Sequence, residues 1–308
     1  MTEPQRDGAA RFHGIYPMLY AFFDARGALD RAAMARQVEA CLAQGTHGIA
    51  ALGLATEVSK LSEAERRQVM DWVCSDVAGR CPVALTIFGN SVAQQVEMAR
   101  AARDAGADWL ILQPPPVKGL PEMEYVRFFG AVAEKVDRPI AIQNAPDYIG
   151  IGLSAAGLFE LNRQHPNICL LKGEGPALTI RRMIEETEGR LTVFNGRGGL
   201  ELPDNLRAGC AGMIPAPDCF DRQIRIFELM RSGDPEDEAA AEALYREILP
   251  AITFVMQSIE TLLCYGKRIA ALRLGIAVHD RAPALQPSDF GLACARRYAE
   301  ALGRLAPG

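Results

Sequence analysis

Ile168-Cys169-Leu170-Leu171-Lys172-Gly173-Glu174-Gly175-Pro176 is a short apolar run closed by a lysine and then by a glycine-rich turn. A strand with one wet face alternates apolar and polar residues, whereas a buried parallel strand is apolar on both faces. Ile168–Lys172 is of the second kind. Working outward, seven more runs read the same way: Ile15–Tyr20, Gly48–Gly53, Val83–Phe88, Trp109–Gln113, Ile140–Gln143, Leu191–Asn195 and Gly212–Pro215. Polar or glycine-rich turns and amphipathic segments separate them. Alternating β and α elements predict a parallel sheet. Eight such units in 308 residues predict a (β/α)8 TIM barrel, which needs about 250 residues, followed by an extension.

The helix signals agree. Asp30 is placed to cap a helix with the stripe Met34, Val38, Cys41 and Leu42, stopped at Gly45. Ser62 with Glu65, and Ser91 with Gln94, fit capping boxes. After Ser232-Gly233-Asp234-Pro235 the β-runs cease. Residues 236–264 carry a helical stripe of Leu244, Ile248, Ile252, Val255, Met256, Ile259 and Leu263, which Pro250 is expected to kink or split. Helices near 266–275 and 287–304 follow. The expected organisation is a barrel over 1–235 and a C-terminal helical extension over 236–308 packed on it.

Composition narrows the function. A net charge of −5 without clustered Lys and Arg excludes nucleic acid and anionic membrane as natural partners. No apolar run approaches the ~18 residues of a bilayer span, and the opening MTEPQRDGAARF has no apolar leader core, so a cytoplasmic protein is expected. None of the eight cysteines falls in a C-x-x-C pair, which predicts buried thiols and neither a metal site nor a disulfide framework. No cofactor is expected.

In such barrels the active site lies at the C-terminal ends of the strands. Polar residues gather there: Gln143-Asn144, Lys172 with Glu174, and Asn195-Gly196-Arg197. A lysine closing an apolar run is largely buried, and burial favours the neutral amine that attacks a ketone. The alternative is that Lys172 only salt-bridges Glu174 at a rim. Gly196-x-Gly198-Gly199 and Gly173-x-Gly175-Pro176 either cradle an anion on N–H groups or serve tight strand-to-helix turns. Glu57, beside Lys60, is a general base or a loop-shaping residue. Lys118, Lys267 and Arg268 read as surface or extension charges, and the four histidines mostly precede strands, at the stability end of the barrel.

These residues resemble the dihydrodipicolinate synthase / N-acetylneuraminate lyase family. The anchors are the G-x-x-x-E loop from Gly53 to Glu57 with Leu61-Ser62-x-x-Glu65-Arg66, the turn with Asn144, Pro146 and Gly150, and Lys172 ending the sixth strand. The resemblance implies a Schiff base on Lys172, a small 2-oxo acid as substrate, its carboxylate on the backbone N–H groups of Leu54, Ala55 and Thr56, and a homo-oligomer, tetramer or dimer. It also implies substrate contacts for Asn144, Asn195 and Gly196.

The chain departs from that pattern as well. The family's G-[ST]-T-G-E is here Gly53-Leu54-Ala55-Thr56-Glu57, and its Y-N-x-P is Gln143-Asn144-Ala145-Pro146. The acid/base tyrosine and two relaying hydroxyls are therefore absent. The arginine that synthases carry after the proline is missing, with Tyr148 near its place, and Pro115-Pro116 replaces an aromatic pair. The glutamine, with Lys172, Glu174 and Pro176, is similar to a subgroup containing L-2-keto-3-deoxyarabonate dehydratase. The expected activity is dehydration of a 2-keto-3-deoxy sugar acid, with Lys172, Gln143, Glu174 and Tyr148 as catalytic residues. Retro-aldol release of pyruvate and a non-catalytic keto-acid-binding barrel are the alternatives.

Overall fold

A computed structural model of the chain describes residues 11–305. It contains eight parallel strands, β1 Gly14–Ile15, β2 Ile49–Ala51, β3 Val83–Ile87, β4 Trp109–Leu112, β5 Ile140–Asn144, β6 Ile168–Gly173, β7 Thr192–Asn195 and β8 Gly212–Met213. They lie in the order β1-β8-β7-β6-β5-β4-β3-β2. A parallel bridge between Met18 and Ala50 closes the ring, with Leu19 N–H donating to Ala50 O at 2.8 Å. This is the predicted (β/α)8 barrel. Each expected run supplied a strand because continuous apolar runs suit a sheet buried on both faces.

The interior is solid. Tyr16 from the first strand segment, Trp109 from β4 and Phe194 from β7 are not neighbours in the ring, yet their rings lie 5.2–5.6 Å apart. They meet across the barrel axis and fill it, as in barrels whose centre is a packed core. At the N-terminal end His47 accepts the Ile15 N–H on Nδ1 at 3.3 Å and packs edge-on against Phe227. Gly14, at φ +93°, is needed there, since a Cβ would lie 2.1 Å from the His47 ring.

Asp30 caps Arg31–Ala43 by accepting from Ala33 N, and Ser62 with Glu65 forms a full capping box. At Ser91 only half of the box forms, because Gln94 Oε1 accepts from Asn90 N instead. No new helix starts at Pro250: one helix runs from Pro235 to Val255 with Pro250 inside it. The chain breaks after Met256, and the next helical segment, Ile259–Leu274, turns by 107°. Ser258 caps that new start with its own box to Thr261. A π-turn, Leu262–Gly266, sits within the segment, and the helix Asp289–Leu302 ends the described chain. No single described helix is long and apolar enough to cross a membrane.

Candidate active site

The pairing of β5 with β6 sets Gln143 beside Lys172 and Asn144 beside Gly173. Both strands therefore deliver a polar side chain at the same level, just where the apolar runs end. Lys172 is 4% exposed and Glu174 3%. Glu174 Oε1 accepts from Lys172 Nζ and from Gln143 Nε2, the latter at 2.7 Å. The ion pair is thus buried inside the mouth and not at a rim. Gln143 Oε1 is buried with no partner. Buried acceptors are usually satisfied, so this oxygen is an exception among the described residues.

Glycine makes the arrangement possible. A Cβ on Gly196 would lie 2.8 Å from Glu174 Cγ and 3.0 Å from Lys172 Cε. The Gly196 N–H donates to Gly173 O, so this glycine gives room, not an anion-binding amide. Two asparagines expected at the substrate are occupied elsewhere. Asn144 clasps Leu153, donating to its O at 3.0 Å and accepting from its N at 2.7 Å. Asn195 donates to Gly175 O and Asn205 Oδ1, both at 2.8 Å, and accepts from Arg197 N. Each tethers the loop after its strand. Strand-end amides satisfy backbone groups that the ladder has just abandoned.

Across the mouth lies the turn after β2. Thr56 gives its hydroxyl to Leu19 O at 2.6 Å. The backbone N–H groups of Leu54, Ala55 and Thr56 donate to no acceptor among the described residues. Tyr148, on the short helix Pro146–Ile149, faces the same space. Burial raises its hydroxyl pKa, and the nearby Arg197 guanidinium opposes the shift.

Leu54, Ala55, Tyr148, Lys172, Glu174 and Gly196 thus line one cavity, and Met256, Ile259 and Leu262 roof it. Its volume is about 30 Å³, room for about two waters. A larger ligand enters only as the lining moves. The roof was not foreseen: in the sequence Met256 and Ile259 belong to an ordinary apolar stripe. Lys267, expected as a surface or extension charge, lies on the extension and is buried. It is 1% exposed and its Nζ meets Glu57 Oε1, whereas Arg268 reaches Asp280 at 2.5 Å in a partly exposed pair. A more open groove of about 610 Å³, at Leu249, Pro250, Phe254 and Tyr298, lies on the helical extension with none of these polar groups.

Residues 11–289 match the Dihydrodipicolinate synthetase family. A 4-hydroxy-tetrahydrodipicolinate synthase of Methanoculleus marisnigri is 33% identical over 78% of this chain and 82% of its own length. YagE of Escherichia coli K12, named a candidate 2-dehydro-3-deoxy-D-gluconate aldolase, is 28% identical over 78% of this chain and 80% of its own. The solved structure of YagE in complex with pyruvate superposes with a TM-score of 0.84 at 24% identity, covering 94% of this chain and 98% of that one.

Proposed function

The chain belongs to the dihydrodipicolinate synthetase family of lyases, and from that premise we propose that it is a Schiff-base-forming dehydratase of a 2-keto-3-deoxy sugar acid. The observation that carries the reading is Glu174, whose Oε1 is shared by Lys172 Nζ and the Gln143 amide. A carboxylate in contact with the nucleophile can move its protons. An amide at position 143 cannot.

In this reading Lys172 gives a proton to Glu174 and attacks the C2 ketone. Glu174 returns that proton to the carbinolamine hydroxyl, which leaves as water, and the iminium so formed acidifies C3–H. Glu174 then removes the C3 proton and passes it to the C4 hydroxyl, which departs as water; a proton shift from C5 to C3 turns the resulting C3=C4 alkene into the semialdehyde, and hydrolysis frees Lys172. The unpartnered Gln143 Oε1 accepts from the departing hydroxyl, and Tyr148 orients the far end. The free N–H groups of Leu54, Ala55 and Thr56 hold the carboxylate, as backbone donors commonly hold anions. Aldol cleavage instead needs a base on the C4 hydroxyl, which the family takes from the tyrosine that Gln143 replaces. The partner is a small 2-oxo acid. A homo-oligomeric, cytoplasmic enzyme, with the barrel at 1–235 and the extension at 236–308, belongs to the same proposal.

One assay on a 2-keto-3-deoxy pentonate tests it, reading semialdehyde with an NAD(P)-linked dehydrogenase and pyruvate with lactate dehydrogenase. Semialdehyde is expected to dominate. Dominant pyruvate would establish the aldol lyase in its place. A bound keto acid that yields neither product would leave the binding barrel.

A further inference from the structure

The turn after β2 is bracketed by two strained residues. Leu52 has φ +64° and Glu57 φ +56°, a left-handed conformation that non-glycine residues keep only when their surroundings impose it. For Glu57 those surroundings are two ammonium groups. Lys60 Nζ reaches Oε2 at 2.5 Å, and Lys267 Nζ meets Oε1. Lys60 is held in turn by Arg281 O at 3.1 Å. Glu57 is 4% exposed, and Lys267 lies 5.5 Å from the centre of the Phe23 ring. The Glu57 N–H donates to Leu54 O at 3.0 Å and closes the turn. Fixing Glu57 therefore fixes the direction of the three unbonded N–H groups inside that turn.

Lys267 comes from outside the barrel. It follows the π-turn Leu262–Gly266, and such insertions in helices recur at functional positions. The same segment roofs the Lys172 cavity with Ile259 and Leu262. Ile259 also borders a second cavity of about 390 Å³ that holds Glu57 and Lys267. The ion pair thus stands one side chain away from the candidate active site.

We propose that Lys267 is a positioning residue for the substrate carboxylate, holding Glu57 and through it the amides of Leu54, Ala55 and Thr56. This rests on the reading that Lys172 forms a Schiff base with a 2-oxo acid whose carboxylate sits on those amides. Lys267 touches no reacting atom. Its effect should therefore follow the carboxylate and not the ketone.

The test is borohydride trapping of full-length protein with pyruvate and, separately, with acetone, which has the ketone but no carboxylate. Trapping of pyruvate on Lys172 in the wild type tests the Schiff-base reading itself, and the ratio of variant to wild type tests Lys267. In Lys267→Met the pyruvate concentration for half-maximal trapping should rise roughly tenfold or more, while trapping at saturation stays within about twofold, the signature of lost ground-state binding. Acetone trapping should match the wild type. Glu57→Gln should show the same pattern, which guards against failure of the lysine variant to fold. Unchanged half-saturation by pyruvate in both variants, or equal losses for pyruvate and acetone, would overturn the proposal.

Discussion

Two buried lysines sit at the same end of this barrel, each against a glutamate, and they invite opposite conclusions. Lys172 shares Glu174 with a neutral amide and faces a cavity. Lys267 shares Glu57 with a second lysine and packs against Phe23. In the first cluster one ammonium and one carboxylate balance, so a single proton transfer leaves both groups neutral. In the second, two ammonium groups bear on one carboxylate, one on each oxygen. Burial pushes the Lys267 pKa down while Glu57 pulls it back up. Burial of a lysine thus marks neither nucleophile nor strut; the count of charges and the presence of space decide.

The largest expected effect breaks the symmetry outright. Lys172→Arg keeps a cation beside Glu174 but cannot form an imine, because a guanidinium stays protonated. Intact-mass analysis after borohydride and pyruvate should show one adduct on the wild type and none on this variant. Lys267→Met should still show it at saturating pyruvate. An adduct of equal yield on Lys172→Arg would mean that the two lysines have been assigned the wrong way round.

Glu174→Gln is the next step down. It leaves the amine and the cavity in place and removes the proton acceptor. A positioned acid or base contributes typically ~10²–10⁴-fold, so turnover of a 2-keto-3-deoxy acid should fall by about that factor, while the pyruvate adduct still forms given time. Turnover within about threefold of wild type would move the proton traffic to Tyr148 or water.

The contrast also marks what the sequence could carry. The eight strands were legible because a buried parallel strand needs apolar residues on both faces, and Lys172 was conspicuous as the one charge closing such a run. Lys267 was not, because a lysine in a helical stretch usually lies on a wet face, and its partner Glu57 is 210 residues away in the chain. The new helix start that Pro250 suggested lies instead after Met256, and the helix Pro235–Val255 carries Pro250 inside it. Asn144 and Asn195 sit at strand ends as substrate ligands would, but local backbone demand takes them first. The roof of Met256, Ile259 and Leu262 is invisible in one dimension, since apolar residues that cover a ligand and those that fill a core follow the same period.

A third buried ionisable group has no lysine at all, and it gives the smallest effect. Asp218 follows β8, is 3% exposed, and burial pushes its carboxyl pKa up to about 7. Arg273 lies close, but its guanidinium serves Asp221 at 2.8 and 2.9 Å and only the backbone carbonyl of Asp218. Tyr20 and Cys219 add no positive charge beside it, and both are themselves raised by burial. An aspartate in the unfolded chain titrates near ~3.9. Between roughly pH 4 and pH 7 the folded state therefore holds a proton that the unfolded state has released. More protons bound in the native state means that stability falls as pH rises across that window, by at most about 1.4 kcal/mol per pH unit from this group, and levels off above it. Asp218→Asn keeps the shape and removes the proton. Urea unfolding from pH 5 to pH 8 should then show a downward slope in the wild type that is shallower in the variant, with the variant gaining relative to wild type as pH increases. Parallel profiles would mean that Asp218 is ionised in the fold and has a cationic partner after all, which would place it with Glu57 as a held carboxylate.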